Sequence, residues 1–236
     1  MQGCIAVVID DGRKTDLTVG LQEQLNRGMI PKGTSYIVGN YIGSSDDYLS
    51  VSDCKTLLNN GWDLEDHTYT HGVGDDSFYL KTGDEIRAEL QEMNDFFVET
   101  LGTAKPKHWS IPGGSLNRKI LDIVGRERET IMVGGSKFIT PYSNALMLPS
   151  YDISPTYNQS ATSADSSRTI TIRKIIDDCV KYGYGCALFC HELEEQTEID
   201  AYRDVLDYGL WSGARFVTVS ELWELYRPIK VNYPVR

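Results

Sequence analysis

Short apolar runs alternate along this chain with stretches in which apolar residues recur every three or four positions. Ile5–Ile9 is continuously apolar and ends at Asp10-Asp11-Gly12, the pattern of a strand buried on both faces. Leu17, Val19, Leu21 and Leu25 then space a helix that stops at Gly28. Ser35–Val38 predicts the next strand, Leu49–Leu58 a short helix closed by Asn60-Gly61, and Trp62–Asp66 a third strand. Thr82 with Glu85 forms a capping box for a long helix whose buried stripe is Ile86, Leu90, Met93, Phe97 and Leu101, and Gly102 ends it. Further strands are predicted at His108–Ile111, Thr130–Val133, Leu146–Leu148, Cys186–Cys190 and Phe216–Val219, with helices over Leu116–Arg126, Ile170–Tyr182, Ala201–Trp211 and Glu221–Tyr226. Strand and helix alternate throughout, and no Pro-, Gly- or Ser-rich linker divides them. That order predicts one α/β domain over residues 1–236 with a largely parallel sheet curled into a barrel. The chemistry of such barrels collects at the carboxyl ends of the strands.

The placement rule brings Asp10, Asp11, His67, Pro112 and His191 to one rim from distant parts of the sequence. Two of the four histidines stand four apart in Asp66-His67-Thr68-Tyr69-Thr70-His71. A helical course there would put both imidazoles on one face, and Thr68 and Thr70 could supply hydroxyls behind them. A carboxylate from Asp10 or Asp11 would complete an N,N,O set that leaves a position open for water, the composition of a catalytic divalent-metal site. Two adjacent carboxylates can divide labour between binding a metal and taking a proton, although Asp-Asp-Gly also reads as a plain turn. The histidine pair also reads as a surface pair, and His191 as a core histidine with its hydrogen bonds satisfied. In the chemical reading His191 is a general acid, because imidazole titrates near neutrality. The loop Trp109-Ser110-Ile111-Pro112-Gly113-Gly114 offers backbone N–H groups to an oxyanion, or is a simple strand-to-helix turn. His108 reads as a surface residue.

Composition narrows the partners. There are 23 Lys and Arg against 34 Asp and Glu, a net charge of −11, which argues against nucleic acid or an anionic membrane and suits a neutral or cationic substrate. No apolar run approaches the roughly 20 residues needed to cross a bilayer. The opening residues carry no basic segment and read as a core strand, not a signal peptide. Five cysteines, Cys4, Cys54, Cys179, Cys186 and Cys190, are an odd count without CxxC spacing, so buried free thiols are expected in place of a disulfide framework.

Taken in order, these segments resemble the polysaccharide deacetylase family, also called NodB-homology domains or carbohydrate esterase family 4. Val8-Ile9-Asp10-Asp11-Gly12 is similar to the family's first motif, TFDDG. The stretch from Asn60 to His71 is similar to the second, a strand followed by His-[Ser/Thr]-x-x-His. Ser110-Ile111-Pro112-Gly113-Gly114 stands at the third, Arg-Pro-Pro-x-Gly, and Phe189-Cys190-His191 at the fifth, Leu-x-His. Gly213–Leu222 resembles the closing strand and helix, so the likeness spans essentially the whole chain.

The resemblance implies a distorted (β/α) barrel that removes acetyl groups from a carbohydrate, with an N-acetylated polysaccharide of peptidoglycan or chitin type as the leading reading. It implies that Asp11, His67 and His71 bind one divalent metal, zinc in most of the family, with Co2+, Ni2+ or Mn2+ as alternatives. Asp10 becomes the general base that takes a proton from the attacking water, and His191 the acid that protonates the leaving group. Gly113 N–H then holds the oxyanion, with Pro112 and Trp109 beside the substrate. An acetylated polysaccharide or oligosaccharide is the expected partner, the chain is expected to be a monomer, and the family points to an extracellular or cell-surface location. The competing readings are an O-acetyl esterase acting on xylan or a capsule, and a catalytically idle glycan-binding module.

Three departures qualify the carry-over. Ser110 stands in place of the arginine that orients the base, and Ile111 in place of the first proline. The fourth motif has no clean counterpart. Tyr151-Asp152-Ile153-Ser154 lies near its position, which makes Asp152 a candidate partner for His191, and Arg173 is a candidate substitute for the missing arginine.

Overall fold

A computed structural model describes residues 2–114, 116–134, 138–140, 146–154 and 172–227. Eight strands appear among them: β1 (Cys4–Asp11), β2 (Thr34–Ile37), β3 (Asp63–Asp66), β4 (His108–Ser110), β5 (Thr130–Gly134), β6 (Met147–Asp152), β7 (Gly185–Cys190) and β8 (Arg215–Val217). Every pairing between them is parallel. Strands β1 to β7 close on themselves, because β1 pairs with β7 over Cys4–Ile9 and with β2 over Val8–Asp11. β8 adds alongside Cys4–Ala6, filling the edge of β1 that β2 does not reach. The result is the expected distorted barrel, closed by seven strands.

β1 shows why its sequence is apolar without alternation. Ile5, Val7 and Ile9 pack outward under the helices with Leu21, Cys54, Leu57, Tyr202 and Val205. Cys4, Ala6 and Val8 face the barrel interior with Tyr36, Met132, Leu148 and Ala187. Both faces are covered, so both must be apolar. All five cysteines are buried free thiols, as their setting in apolar runs predicts.

The helices are α1 (Gln22–Asn26), α2 (Val51–Asn59), α3 (Gly83–Asp95), α4 (Arg118–Glu127), α5 (Ile172–Tyr182), α6 (Gln196–Ser212) and α7 (Val219–Tyr226). Both arms of the Thr82/Glu85 capping box form at the start of α3. Residues 170 and 171 of the expected Ile170–Tyr182 helix lie outside the described residues, as does 228–236 of the expected domain. Two helices depart from simple α winding: Asp16–Leu21 ahead of α1 and Phe96–Leu101 after α3 are π-helical. Val219 opens α7 instead of ending β8, because Thr218 caps that helix with Glu221. α7 closes the amino-terminal end of the barrel, where Val219 N donates to Thr34 Oγ1 and Ser220 N to Asp63 Oδ2. The opposite, carboxyl end stays available for chemistry. No helix among the described residues is long and apolar enough to cross a membrane.

Candidate functional site

Strand parity aims the first carboxylate. Asp10 follows Cys4, Ala6 and Val8 on the inner face and is buried at the carboxyl end of β1. Alternation alone would turn Asp11 outward, beneath the helices. Its backbone instead takes φ +78°, followed by Gly12 at φ +68°, and this left-handed pair swings the Asp11 carboxylate around the strand end.

The two histidines meet Asp11 from a loop, not from the helix that their spacing suggested. Thr68 and His71 both have positive φ, +69° and +55°, which a helix forbids. The loop is held by carboxylates. Asp66 Oδ1 accepts from Thr68 N at 2.7 Å, while Glu89 on α3 accepts from Tyr69 N at 2.9 Å, Thr70 N at 3.0 Å and the Thr70 hydroxyl. The Thr68 hydroxyl accepts from His71 N at 2.9 Å. The two threonines therefore shape the backbone and do not back the imidazoles. The ring of His67 is oriented by Ser110, whose carbonyl oxygen accepts from Nδ1 at 2.9 Å. With Nδ1 engaged by that carbonyl, the ring turns Nε2 toward Asp11.

Asp11 Oδ1 lies 3.1 Å from His71 Nε2 and 3.4 Å from His67 Nε2. One donor atom from each of the three residues falls within 4.8 Å of the others, and Asp11 Oδ1 is a buried atom without a well-formed hydrogen bond among the described residues. Burial works to raise the Asp11 pKa, but the two imidazoles outweigh it and hold the carboxyl well below the usual carboxylate range. An ionised carboxylate and two imidazole nitrogens converging on one point fit a divalent cation of borderline softness.

Asp10 sits beside this cluster in a drier setting. Ser110 Oγ donates to its Oδ2 at 3.2 Å, while Oδ1 is buried and has no hydrogen-bond partner among the described residues. Burial raises its pKa, against the pull of His67, His191 and the Ser110 hydrogen bond. His191 follows β7 and is exposed, with its ring edge-on to Phe189 at 5.6 Å. Pro112 is buried in the turn after β4, where Gly113 adopts φ +66°, a left-handed conformation that glycine takes without strain.

Four expectations require correction. Trp109 is fully buried with its ring 5.1 Å from Phe78, because Ser110 points inward and parity turns its neighbour out under the helices. The same parity carries His108 inside the barrel, where it is buried, hydrogen-bonded to Thr130 Oγ1 at 2.8 Å, and pushed down to about 3 by desolvation. Asp152 accepts from Ser154 N at 2.8 Å, and no hydrogen bond joins it to His191 among the described residues. Arg173 is exposed on α5, pairs with Asp204 and lies over Tyr208, so it does not replace the missing arginine.

A different buried arginine was missed. Arg128 directs Nε (2.9 Å) and Nη2 (2.6 Å) onto Asp66 Oδ2, behind the histidine loop. In the sequence it is one of four consecutive charges, Arg126-Glu127-Arg128-Glu129, ahead of β5, and nothing in that run marks it out. Glu89 had a clear signal, since it sits three residues after Ile86 and four before Met93, inside the apolar stripe of α3.

The family model described as polysaccharide deacetylase matches residues 1–127. No curated protein matches the chain. Among solved structures, the Xyl-CE4 domain of a multidomain xylanase from the hindgut metagenome of Trinervitermes trinervoides is similar at 18% identity and TM-score 0.62, covering 95% of this chain and 91% of that one. A family 4 acetyl xylan esterase from Clostridium thermocellum, solved with a cobalt ion, is 17% identical at TM-score 0.61, covering 97% and 100%. A CE4 family pseudoenzyme from Bacillus anthracis is 13% identical at TM-score 0.60, covering 94% and 66%.

Proposed function

The chain belongs to the polysaccharide deacetylase family, and on that premise we propose that it is a metal-dependent hydrolase that removes acetyl groups from an N-acetylated polysaccharide. The observation that carries this reading is the convergence of Asp11, His67 and His71 beside the buried carboxylate of Asp10. Asp11, His67 and His71 would hold the metal, for which zinc is the reading proposed. When bound, it would lower the pKa of a water to near 7 and polarise the acetyl carbonyl.

The protein's own groups divide the remaining work. Asp10 takes the proton of the attacking water on Oδ1, since Oδ2 is engaged by Ser110. A carboxyl group raised by burial stands closer to neutrality, where a general base is most effective. Ser110 orients Asp10 through its hydroxyl and His67 through its carbonyl, and so takes part of the arginine's role in the third motif. His191, exposed at the end of β7, protonates the departing amine. The oxyanion is assigned to the turn at Pro112 and Gly113, whose sharp backbone lets the chain approach the carbonyl.

An ester leaving group would need the same groups, so an O-acetyl esterase acting on xylan is the second reading. The acetyl xylan esterase among the structural neighbours favours it. The test is acetate release from N-acetylglucosamine oligomers and from acetylated xylan after metal loading, for the native protein and for Asp10→Asn. Loss of the base should lower the rate by roughly 10²–10⁴-fold. Equal rates in the two proteins would remove Asp10 from the mechanism. Absence of release in both, with metal bound, would favour an idle glycan-binding module.

A further inference from the structure

The two histidines share a support that lies outside the ligand set. Asp66, directly before His67, is fully buried and uses both carboxylate oxygens. Its Oδ1 accepts from Thr68 N at 2.7 Å, while Oδ2 accepts from Arg128 Nε at 2.9 Å and Nη2 at 2.6 Å. The Thr68 hydroxyl in turn accepts from His71 N at 2.9 Å. Hydrogen bonds therefore run unbroken from the Arg128 guanidinium through Asp66 and Thr68 to the backbone of His71. His67 is the residue enclosed between the two anchors, Asp66 and Thr68.

Arg128 is itself fixed, at the point where α4 passes into β5. Its N donates to Val124 O at 2.9 Å and its Nη1 to Glu127 O at 3.2 Å. Two N–H groups on one oxygen leave the Asp66 carboxylate little freedom to turn, so Oδ1 stays aimed at Thr68 N. Glu89, with Lys81 as its own cation at 3.0 Å, grips the crest of the loop at Tyr69 N and Thr70 N. The Arg128–Asp66 anchor instead leads to the ligand-bearing positions themselves.

Stability alone does not account for such a pair. Apolar residues of similar volume often serve a buried site as well as an ion pair does, whereas the ion pair fixes one arrangement. The arrangement fixed here is strained, with Thr68 at φ +69° and His71 at φ +55°. Backbone in that region persists when its surroundings over-determine it. A ligand set tolerates displacements of only about 0.5 Å.

We propose that Arg128 is a positioning residue for the metal centre. Acting through Asp66 and Thr68, it holds His67 and His71 where both can meet one ion together with Asp11. Arg128 is not a ligand, and the proposal rests on the metal reading above.

Zinc affinity separates this role from stability and from acetate release. Each protein is titrated with zinc against a chromogenic chelator, at a temperature where circular dichroism shows it folded. Arg128→Met should weaken zinc by roughly 10–100-fold, the usual cost of losing a group that orients a ligand. Arg128→Lys keeps the charge without the fork and should fall between that variant and the native protein. Thr68→Val leaves the ion pair intact, removes the acceptor for His71 N, and should weaken zinc by roughly 2–12-fold. Should Arg128→Met not fold, the lysine and valine variants carry the test. Leu222→Ala controls for destabilisation, since Leu222 is buried on α7 at the opposite end of the barrel and should leave zinc affinity unchanged. Native affinity in the Arg128 variants or in Thr68→Val, or an equal loss in Leu222→Ala, would overturn the positioning role alone. A native protein that binds no zinc would instead remove the metal reading, and the positioning role with it.

Discussion

Replacing Arg128 with methionine would leave the Asp66 carboxylate buried without its partner. The pair is fully enclosed, with side-chain exposures of 1% for Arg128 and 0% for Asp66, which puts it outside the regime of surface ion pairs worth about 0–1 kcal/mol. Two N–H groups of the guanidinium converge on Asp66 Oδ2 at 2.9 and 2.6 Å, and Oδ1 is used by Thr68 N. Removing one member of such a pair typically costs about 3–5 kcal/mol, chiefly through the stranded charge. For a chain of this size that corresponds to a fall of roughly 6–20 °C in melting temperature. Asp66→Asn should cost a similar amount by stranding Arg128, although the asparagine oxygen can still accept from Thr68 N. The double variant strands neither charge and should lose clearly less than the sum. Urea unfolding of all four proteins, followed by far-ultraviolet circular dichroism, closes the cycle. A loss below about 1 kcal/mol for Arg128→Met, or strict additivity in the double variant, would refute the argument.

Other outcomes follow from the same geometry. Ser110→Ala removes the hydrogen bond that lowers the Asp10 pKa, so the acidic limb of the kcat/KM profile should move to higher pH, with a rate loss of roughly 2–12-fold; an unmoved limb would show that Ser110 does not act through Asp10. Burial raises Glu65 to about 8, so the native state keeps a proton that the unfolded chain releases near 4.5. That contribution is complete at low pH and is lost as pH rises through 8, with a slope of up to about 1.4 kcal/mol per pH unit. Glu65→Gln keeps the acceptor for Lys107 N and His108 N, and should become steadily more stable than the native protein between pH 5 and 8; a constant difference across that range would contradict it. Zinc at 100 times its dissociation constant should stabilise the fold by about 2.7 kcal/mol, seen as a rise in melting temperature that His71→Ala abolishes. A rise that survives in His71→Ala would place the metal elsewhere.

Much of this arrangement was legible in the sequence, because β1 and β7 are long enough to declare themselves. Uniform burial gave β1 its apolar run, and the placement rule for barrels then brought Asp10, Asp11, His67 and His191 to one end. The errors cluster where the elements are short. β4 has only three residues, so its parity was not readable, and Trp109 and His108 were each assigned to the surface or the rim. Ser110 Oγ on Asp10 fixes that parity, but this contact spans 100 residues of sequence. The spacing of the histidine pair admits both a helical and a looped course, because a separation of four is the same in either. Only the left-handed residues Thr68 and His71 separate them, and no side-chain pattern announces a left-handed threonine. Arg128 and Asp66 lie 62 residues apart and become partners only once the barrel closes.

Those left-handed residues carry a wider consequence. Asp11, Thr68 and His71 are the three non-glycine positions with positive φ among the described residues, and two of them are proposed metal ligands. Each such conformation costs on the order of 1–3 kcal/mol for a residue with a side chain, least for aspartate and most for a β-branched threonine. The rim is thus held several kcal/mol above its relaxed geometry by the closed barrel beneath it, so the molecule is divided mechanically into a stable floor and a tensioned mouth. Substitutions that loosen the floor would release the mouth first, and the ligands would lose their common focus well before the barrel itself came apart.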